Sequence, residues 1–205
     1  MANVVIPTHA NGSEIAVSQT FLALRRLSRY TYGVMLYFAY GSNINLDHLH
    51  DYLDTHGVDP AVIQVTERTH LSDYRLRTNY FAPSHNAGAC NIEPAPGNYV
   101  AGVLMIINES VRDVLRIKEG YPRHYTELDI HVFSRKAKRS LRALTYVVTP
   151  EHRLDTDLPV TARYRDLILA GAREFEFSQE YQSDLRRQLK IAPSLKIQAK
   201  AKATF

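Results

Sequence analysis

The clearest pattern in the chain is a continuous apolar run that ends at a short polar loop. Residues 34–40 read Val-Met-Leu-Tyr-Phe-Ala-Tyr, and an apolar run of this length with aromatic residues is typical of a buried strand. The run stops at Gly41-Ser42-Asn43. After it, Leu46, Leu49 and Leu53 recur at helical spacing. The pattern predicts a strand, a tight loop and an amphipathic helix in immediate succession.

Both ends of that first helix carry the residues expected there. Asn43 or Asn45 can cap its start, because an Asn side chain accepts a hydrogen bond from a free backbone N–H. Gly57 can end it, since glycine adopts the left-handed conformation at a helix C-terminus. The polar loop therefore sits between a strand end and a helix start.

The rest of the chain alternates short strands and helices. Further strands are predicted at 62–65, 74–80, 89–93, 100–107, 125–133 and 143–148, and loops are expected around Pro94, Pro96 and Gly97. Helices are predicted over 110–119 with Ser110 as N-cap, over 162–174 and over 179–188. This order predicts an α+β fold, in which a small mixed β-sheet curls toward a barrel and helices surround it.

Composition narrows the class of protein. The 205 residues are 45% hydrophobic and 22% charged, as in an ordinary globular domain, and no apolar run approaches membrane-spanning length. The net charge of +4 is mild, so we expect no nucleic-acid partner and no membrane partner. We predict one domain over 34–189, an N-terminal extension over 1–33 that includes a basic amphipathic stretch at 21–27, and a basic tail over 190–205.

The location is predicted from what the sequence lacks. The first residues do not have the charged and apolar regions of a secretory signal. The single cysteine, Cys90, cannot form an internal disulfide, which fits a reducing compartment. We therefore expect a cytoplasmic protein.

The loop residues offer groups that suit an anion. Gly41 allows a sharp backbone turn, and Ser42 and Asn43 supply hydroxyl, amide and backbone N–H groups just before a helix. Such groups favour a carboxylate over a neutral ligand. A simple strand-to-helix turn with a capping Asn is the alternative.

Glu119 is the second candidate. On the helix over 110–119 it lies one turn beyond Leu115, on the face that Val111 and Val114 define as buried. Burial and the negative end of the helix dipole both raise the pKa of a carboxyl, which suits acid/base chemistry. The alternative is a structural Glu paired with Arg116 or Arg123.

Taken together and in order, several segments resemble the gamma-glutamylcyclotransferase family. Residues 37–43, Tyr-Phe-Ala-Tyr-Gly-Ser-Asn, resemble its FAYGSN signature, and Glu119-Gly120-Tyr121 with Tyr125 resembles a later E-G-x-x-x-x-Y segment. The family's A-N-I-x-P-x-x-G and G-V-L-Y stretches are similar to residues 89–97 and 102–104, and its final helix pair is similar to a segment marked by Tyr164, Gly171-Ala172, Tyr181 and Leu185. The resemblance covers about 35–188 in order.

The resemblance implies a function and a set of site residues. It implies that Tyr40, Gly41, Ser42 and Asn43 hold the glutamyl head, that Glu119 is the acid/base, and that Tyr125 contacts the substrate or Glu119. The implied reaction is attack of the α-amine on the γ-carbonyl of a small γ-glutamyl compound, which releases 5-oxoproline and a free amine or amino acid. A binding module that keeps the pocket without turnover is the alternative.

One position departs from the family pattern. Many members have Asp three residues before the catalytic Glu, where this chain has Arg116. The local charge balance and the substrate preference are therefore expected to differ.

Other reactive residues form weaker patterns. His48 and His50 lie two apart on a predicted helix, so they do not share a face, and the remaining histidines are scattered. Cys90 lies in a predicted strand without an adjacent base and is interpreted as a small core residue. We expect the reaction to need no metal and no cofactor. Oligomeric state cannot be predicted from these patterns.

Overall fold

The computed structural model describes residues 33–191. Five strands and four α-helices follow the order β1 (Val34–Ala39), α1 (Leu46–Thr55), β2 (Gln64–Ala82), β3 (Ala87–Asn108), α2 (Glu109–Glu119), β4 (Tyr125–Ser134), β5 (Arg139–Val148), α3 (Ala162–Glu174) and α4 (Gln179–Gln188). Within this part of the chain no helix has the length and apolar content needed to cross a membrane. The amphipathic stretch predicted at 21–27 and the tail beyond residue 191 lie outside the described residues.

The strands form one mixed sheet in the order β2-β3-β1-β5-β4. Strands β1 and β5 run parallel, with Tyr37 opposite Leu144, and all other neighbours are antiparallel. The two edge strands approach each other. The Thr69 hydroxyl on β2 donates a hydrogen bond to the Phe133 carbonyl on β4 at 2.8 Å. The sheet is curled but not closed, which confirms the predicted α+β architecture.

The predicted strand boundaries were wrong in the long hairpin. Of the first segment only residues 64–65 are strand, and they belong with segment 74–80 to one strand, β2, while Val62 ends a short 3-10 turn. Segments 89–93 and 100–107 belong to one strand, β3. Pro94 lies opposite Tyr74 in this hairpin. Strand β1 pairs only with residues 103–108 of β3. The part of the hairpin that contains Pro94 therefore has an open edge, where a residue without a backbone N–H donor is tolerated.

The start of α2 also differs from the prediction. Asn108 is the N-cap, and its side-chain oxygen accepts from the Val111 N–H at 3.0 Å. Ser110 instead lies in the first turn. Asn and Ser are comparable capping residues, so the two positions could not be separated by residue type.

Close contact between α3 and the polar loop fixes the loop's position. An alanine Cβ at Gly171 would lie 2.6 Å from the Ile44 carbonyl oxygen, which is closer than a side chain tolerates. Gly171 and Ile44 are both buried. The helix thus rests directly on the backbone of the loop, and glycine is what allows this approach.

We predict that Gly171→Ala destabilises the fold by roughly 1–3 kcal/mol, because the added methyl group must push α3 away from Ile44. Alanine is otherwise the better helix former, so the clash has to exceed that gain. Thermal unfolding measures the change. Arg173→Ala, an exposed change on the same helix, is the control and should have little effect; a Gly171→Ala protein as stable as wild type would contradict the close contact.

Candidate active site

The polar loop after β1 forms a short 3-10 turn over Ser42–Ile44. Asn45, one of the two predicted capping residues, caps α1 by accepting from the His48 N–H at 2.9 Å. Asn43 is therefore not the cap. Its side chain is free to take another role.

The turn satisfies only some of its own backbone donors. The N–H groups of Ile44 and Asn45 bond back to the carbonyls of Gly41 and Ser42, each at 3.1 Å. Within the described residues, the N–H groups of Ser42 and Asn43 have no hydrogen-bond acceptor. Two adjacent free N–H donors beside a cavity are suited to a carboxylate.

Glu119 ends α2, directly before a left-handed glycine. Gly120 has φ 65°, and its N–H closes the helix on the Arg116 and Ile117 carbonyls. Glycine adopts this conformation without the cost of a Cβ. The helix therefore stops at Glu119 and leaves its carboxyl group at the site.

Asn43 holds that carboxyl group in place. Its amide nitrogen donates to Glu119 Oε1 at 3.0 Å and also contacts the Tyr37 hydroxyl at 2.9 Å. Asn43 is only 5% exposed. The buried Asn43 amide thus joins the loop after β1 to the end of α2.

The environment makes Glu119 a weaker acid than usual. Burial of the carboxyl raises its pKa above the ordinary value of 4.5, whereas the Lys118 charge and the Asn43 hydrogen bond lower it. Burial outweighs these two. The helix C-terminus also disfavours a negative charge there. A carboxyl with a raised pKa is suited to accept and return a proton near neutral pH.

Neither predicted arginine pairs with Glu119. Arg116 binds Glu127 instead, with its Nε 2.8 Å from Oε1, and Arg112 also pairs with Glu127. These two guanidinium groups hold the pKa of Glu127 at about 2. In the described part of the chain Glu119 has no ion-pair partner within 4 Å. The structural alternative of a Glu119–arginine pair is therefore wrong.

Glu119 lines two adjoining cavities. A small recess of about 30 Å³ is lined by the loop, Glu119 and four tyrosines: Tyr37, Tyr40, Gly41, Ser42, Asn43, Glu119, Tyr146 and Tyr164. A wider cleft of about 320 Å³ lies beside it, and Ser42, Glu119 and Tyr164 line both cavities. A buried water needs about 10–15 Å³, so the recess accepts a charged group the size of a carboxylate or ammonium, and the rest of a ligand must lie in the cleft.

The recess also contains an acceptor without a partner. Asn43 Oδ1 is buried and has no hydrogen-bond partner among residues 33–191. Together with the Glu119 carboxylate it is suited to an ammonium group, while the free N–H groups of the loop are suited to a carboxylate. An α-amino acid head carries both charges on one carbon.

The two tyrosines that we predicted as site residues line the cavities but use their hydroxyl groups internally. Tyr40, in the recess, donates to the Tyr146 carbonyl at 2.7 Å. Tyr125, in the cleft, donates to the Cys90 carbonyl at 2.7 Å. Burial raises the pKa of both. The structure thus places Tyr125 beside Glu119 in the cleft, with its hydroxyl directed to the backbone.

Three tyrosines of the recess were not predicted as site residues. Tyr37 contacts the Asn43 amide, and Tyr164 accepts from the Cys90 N–H at 3.1 Å. Tyr146 lines the same recess. Tyr37 and Tyr164 both lie in segments that resemble the family motifs, which was the available signal. Tyr146 lies in an ordinary apolar strand, and nothing in its surroundings along the chain marked it.

Cys90 is a buried core residue, as predicted. It is 3% exposed, and burial raises the pKa of its thiol to about 12. The thiol therefore stays protonated at neutral pH and is a poor nucleophile. Among residues 33–191, no group of three or more His, Cys, Asp or Glu side chains is placed to hold a metal ion.

Comparison with known proteins identifies the family of this chain. The model of the AIG2-like family matches residues 99–185. Gamma-glutamylcyclotransferase of Mus musculus is 30% identical over 156 residues, which cover 74% of this chain and 77% of that protein. Its Homo sapiens counterpart is 26% identical over 156 residues, with the same shares of 74% and 77%.

A solved structure titled gamma-glutamyl cyclotransferase has the same fold. Its TM-score is 0.66 at 22% sequence identity, and the match covers 78% of this chain and 91% of that one. At this identity the likeness shows a shared fold, and the sequence match to the mouse protein shows the family. The chain belongs to the gamma-glutamylcyclotransferase family.

The raised pKa of Glu119 predicts a pH-dependent stability difference. A carboxyl with a raised folded-state pKa binds its proton more tightly in the folded than in the unfolded state, so folding loses stability as pH rises from the ordinary value of 4.5 toward the folded pKa. The neutral amide of Glu119→Gln has no such loss. We expect the unfolding midpoint of Glu119→Gln to rise relative to wild type as pH increases from 4 to 8 (about the range over which a Glu of raised pKa ionises).

Thermal unfolding across this pH series provides the measurement. The acidic end is the internal control, because both side chains are neutral there. A midpoint difference that moves in favour of wild type with increasing pH would show that the carboxylate is stabilised by the fold, contrary to the structure.

Proposed function

We propose that the protein is a γ-glutamyl cyclotransferase that uses Glu119 as its acid/base. The observation that carries this proposal is the Glu119 carboxyl held by Asn43 at 3.0 Å, at the point where the recess meets the cleft. The family membership supports the reaction class.

Binding starts with the head of the substrate. The α-carboxylate lies against the N–H groups of Ser42 and Asn43, and the α-ammonium faces Glu119 and Asn43 Oδ1. The γ-carbonyl then lies in the cleft, next to Glu119. Holding the substrate in this folded shape brings its own amine to its carbonyl carbon, which supplies much of the rate acceleration.

Glu119 then moves protons between the two nitrogens. The carboxylate takes a proton from the α-ammonium, and the free amine attacks the γ-carbonyl carbon. As the carbon–nitrogen bond to the leaving group breaks, Glu119 returns a proton to the departing nitrogen. In total the α-nitrogen loses two protons and the leaving nitrogen gains two, so the products are 5-oxoproline and an ammonium-bearing amine or amino acid.

A buried carboxylate argues for turnover rather than binding alone. A pure binder of the α-ammonium would be served best by a carboxylate that stays ionised, whereas burial raises the pKa of Glu119 in the direction that suits proton exchange. We place the activity in the domain predicted over 34–189, acting on a small molecule in the cytoplasm. The location rests on the sequence features alone.

The direct experiment is a mass-spectrometric search for 5-oxoproline across a panel of γ-glutamyl compounds. We predict that Glu119→Gln loses turnover by at least about 10²-fold while it stays folded and still binds a γ-glutamyl ligand, because the amide keeps the shape but cannot carry the proton. Glu109→Gln, an exposed change at the other end of α2, is the matched control.

Two outcomes would count against the proposal. Near-normal turnover in Glu119→Gln would remove the acid/base assignment. A wild-type protein that binds γ-glutamyl ligands without forming 5-oxoproline would instead be the binding module considered above.

Gly41 gives a test of the carboxylate cradle. An alanine Cβ there would lie 3.5 Å from Cys90 Cβ and 3.6 Å from the Tyr164 hydroxyl, which is ordinary contact. The two extra methyl groups of valine add bulk against these neighbours, and Gly41 and Tyr164 both line the recess. We predict that Gly41→Val weakens substrate binding strongly and that Gly41→Ala weakens it much less.

The cradle also predicts non-additivity. A decarboxylated γ-glutamyl analogue should lose affinity on wild type, and Gly41→Val should add little to that loss, because both changes remove one interaction. Binding of the two ligands to the two proteins completes the cycle. Full additivity would show that the carboxylate binds elsewhere, even if Glu119 proved catalytic.

A further inference from the structure

Two buried side-chain polar atoms lack a hydrogen-bond partner in the part of the chain that the structure describes: Asn43 Oδ1 and His124 Nδ1. Asn43 lines the recess and His124 lines the cleft, so both residues belong to the cavities that meet at Glu119. Buried polar atoms are nearly always paired, and an exception calls for a reason. The ammonium of the proposed substrate accounts for Asn43, whereas His124 takes no part in binding or proton transfer at the recess.

The turn after α2 holds the His124 ring close to Glu119. The His124 N–H donates to the Gly120 carbonyl at 2.9 Å, and the His124 carbonyl accepts from the Thr149 N–H at 3.0 Å. A Cβ on Gly120 would lie 2.7 Å from His124 Cδ2, so the ring packs against the residue that directly follows Glu119. Hydrogen bonds of the backbone thus bring residues 119 and 124 together in the lining of one cleft.

The two ring nitrogens of His124 have different surroundings. Nδ1 is buried, whereas Nε2 is accessible and has no hydrogen-bond partner among residues 33–191. Because His124 lines the cleft, a ligand there can reach Nε2. A buried N–H without an acceptor is rarer than a buried acceptor without a donor. The single proton of the neutral imidazole is therefore assigned to Nε2, which makes this nitrogen a donor toward the cleft.

The surroundings also keep the ring neutral. A second proton would create an N–H at the buried Nδ1 and a positive charge beside other basic groups. The centre of the His152 ring lies 4.8 Å from that of His124. The pKa of His124 is lowered from the ordinary value of 6.5, first by burial and then by the charges of His152 and Arg123. His124 is thus a neutral donor that does not compete with Glu119 for protons.

Attack on the γ-carbonyl needs a donor of this kind. As the α-amine adds to the carbon, negative charge develops on the carbonyl oxygen, and a donor fixed at that point stabilises the transition state. In the proposed binding mode the N–H groups of Ser42 and Asn43 hold the α-carboxylate, and Glu119 serves the two nitrogens. The γ-carbonyl lies in the cleft that His124 lines.

Two other side chains of the cleft could donate a hydrogen bond. The Lys118 ammonium contacts His48 at 3.1 Å and lies 4.5 Å from the centre of the Tyr52 ring, and neither of these partners lines the cleft. The Ser42 hydroxyl can rotate, whereas the direction of an imidazole N–H is fixed by the packing of the ring. Preorganised donors are the ones that favour a transition state.

We infer that His124 is a second catalytic residue of the proposed reaction, whose Nε2–H donates a hydrogen bond to the γ-carbonyl oxygen as that oxygen becomes negative. The inference rests on the proposed function and adds one group to Glu119. His124 keeps its proton throughout. The oxygen carries the charge until the carbon–nitrogen bond to the leaving group breaks and the carbonyl forms again, so the proton transfers are still those of the two nitrogens.

Removal of the donor tests the inference. His124→Phe keeps a ring against Gly120 but has no N–H. We predict that kcat for release of 5-oxoproline falls by about 10²-fold or more, the usual loss for one oxyanion donor, while KM changes little, because the hydrogen bond strengthens only in the transition state. His124→Leu also lacks a donor and should show the same loss. If one of the two variants does not fold, the other gives the measurement.

Two further variants separate a donor from a structural side chain. His124→Gln restores a neutral N–H close to the position of Nε2 and should recover most of the lost kcat. Its pH profile of kcat should keep the wild-type shape, because Glu119 alone exchanges protons. His131→Phe, the same change as His124→Phe at an exposed position of β4, is the matched control and should leave kcat at the wild-type value.

Three results would overturn the inference: a wild-type kcat in the variants without a donor, a loss confined to KM, or a glutamine variant as slow as the phenylalanine variant. A large loss of kcat in Ser42→Ala, together with an active His124→Phe, would place the donor at Ser42 instead. In each of these cases the wild type still forms 5-oxoproline. A wild type that forms none would contradict the proposed function itself.

Discussion

The site depends on one hydrogen bond, from the Asn43 amide to the Glu119 carboxyl at 3.0 Å. It connects residues 76 positions apart in the chain, at the end of β1 and the end of α2. Asn43 can reach Glu119 because Asn45 caps α1 in its place and because Gly171 lets α3 press on the loop. Each of these local contacts helps to position the Glu119 carboxyl group.

The same arrangement explains why the site is costly to build. Glu119 is desolvated, and no arginine of the described segment pairs with it, because Arg112 and Arg116 both pair with Glu127. Arg116 is where this chain departs from the family pattern, yet its guanidinium group pairs with Glu127 and not with Glu119. Desolvation of the Glu119 carboxyl thus lowers the stability of the fold at the group that has to exchange protons.

Much of the fold and of the candidate site could be predicted from the sequence, but contacts between distant parts of the chain could not. The strand, loop and Glu119 follow from periodicity and turn chemistry, since each is a local property. The long β2–β3 hairpin was not predicted, because the prolines in its open-edge part are typical of a loop between two strands. Tyr146 and the contact between Lys118 and His48 were missed because partners 70 or more residues apart are set by the tertiary fold.

The most direct test of this account is a ¹³C NMR titration of the Glu119 carboxyl, assigned by comparison with Glu119→Gln. The account predicts a pKa clearly above the ordinary value of 4.5, because burial outweighs the Asn43 hydrogen bond and the Lys118 charge. A pKa at or below the ordinary value would mean that the carboxyl is solvated or ion-paired, and Glu119 would then not be the poised acid/base described above.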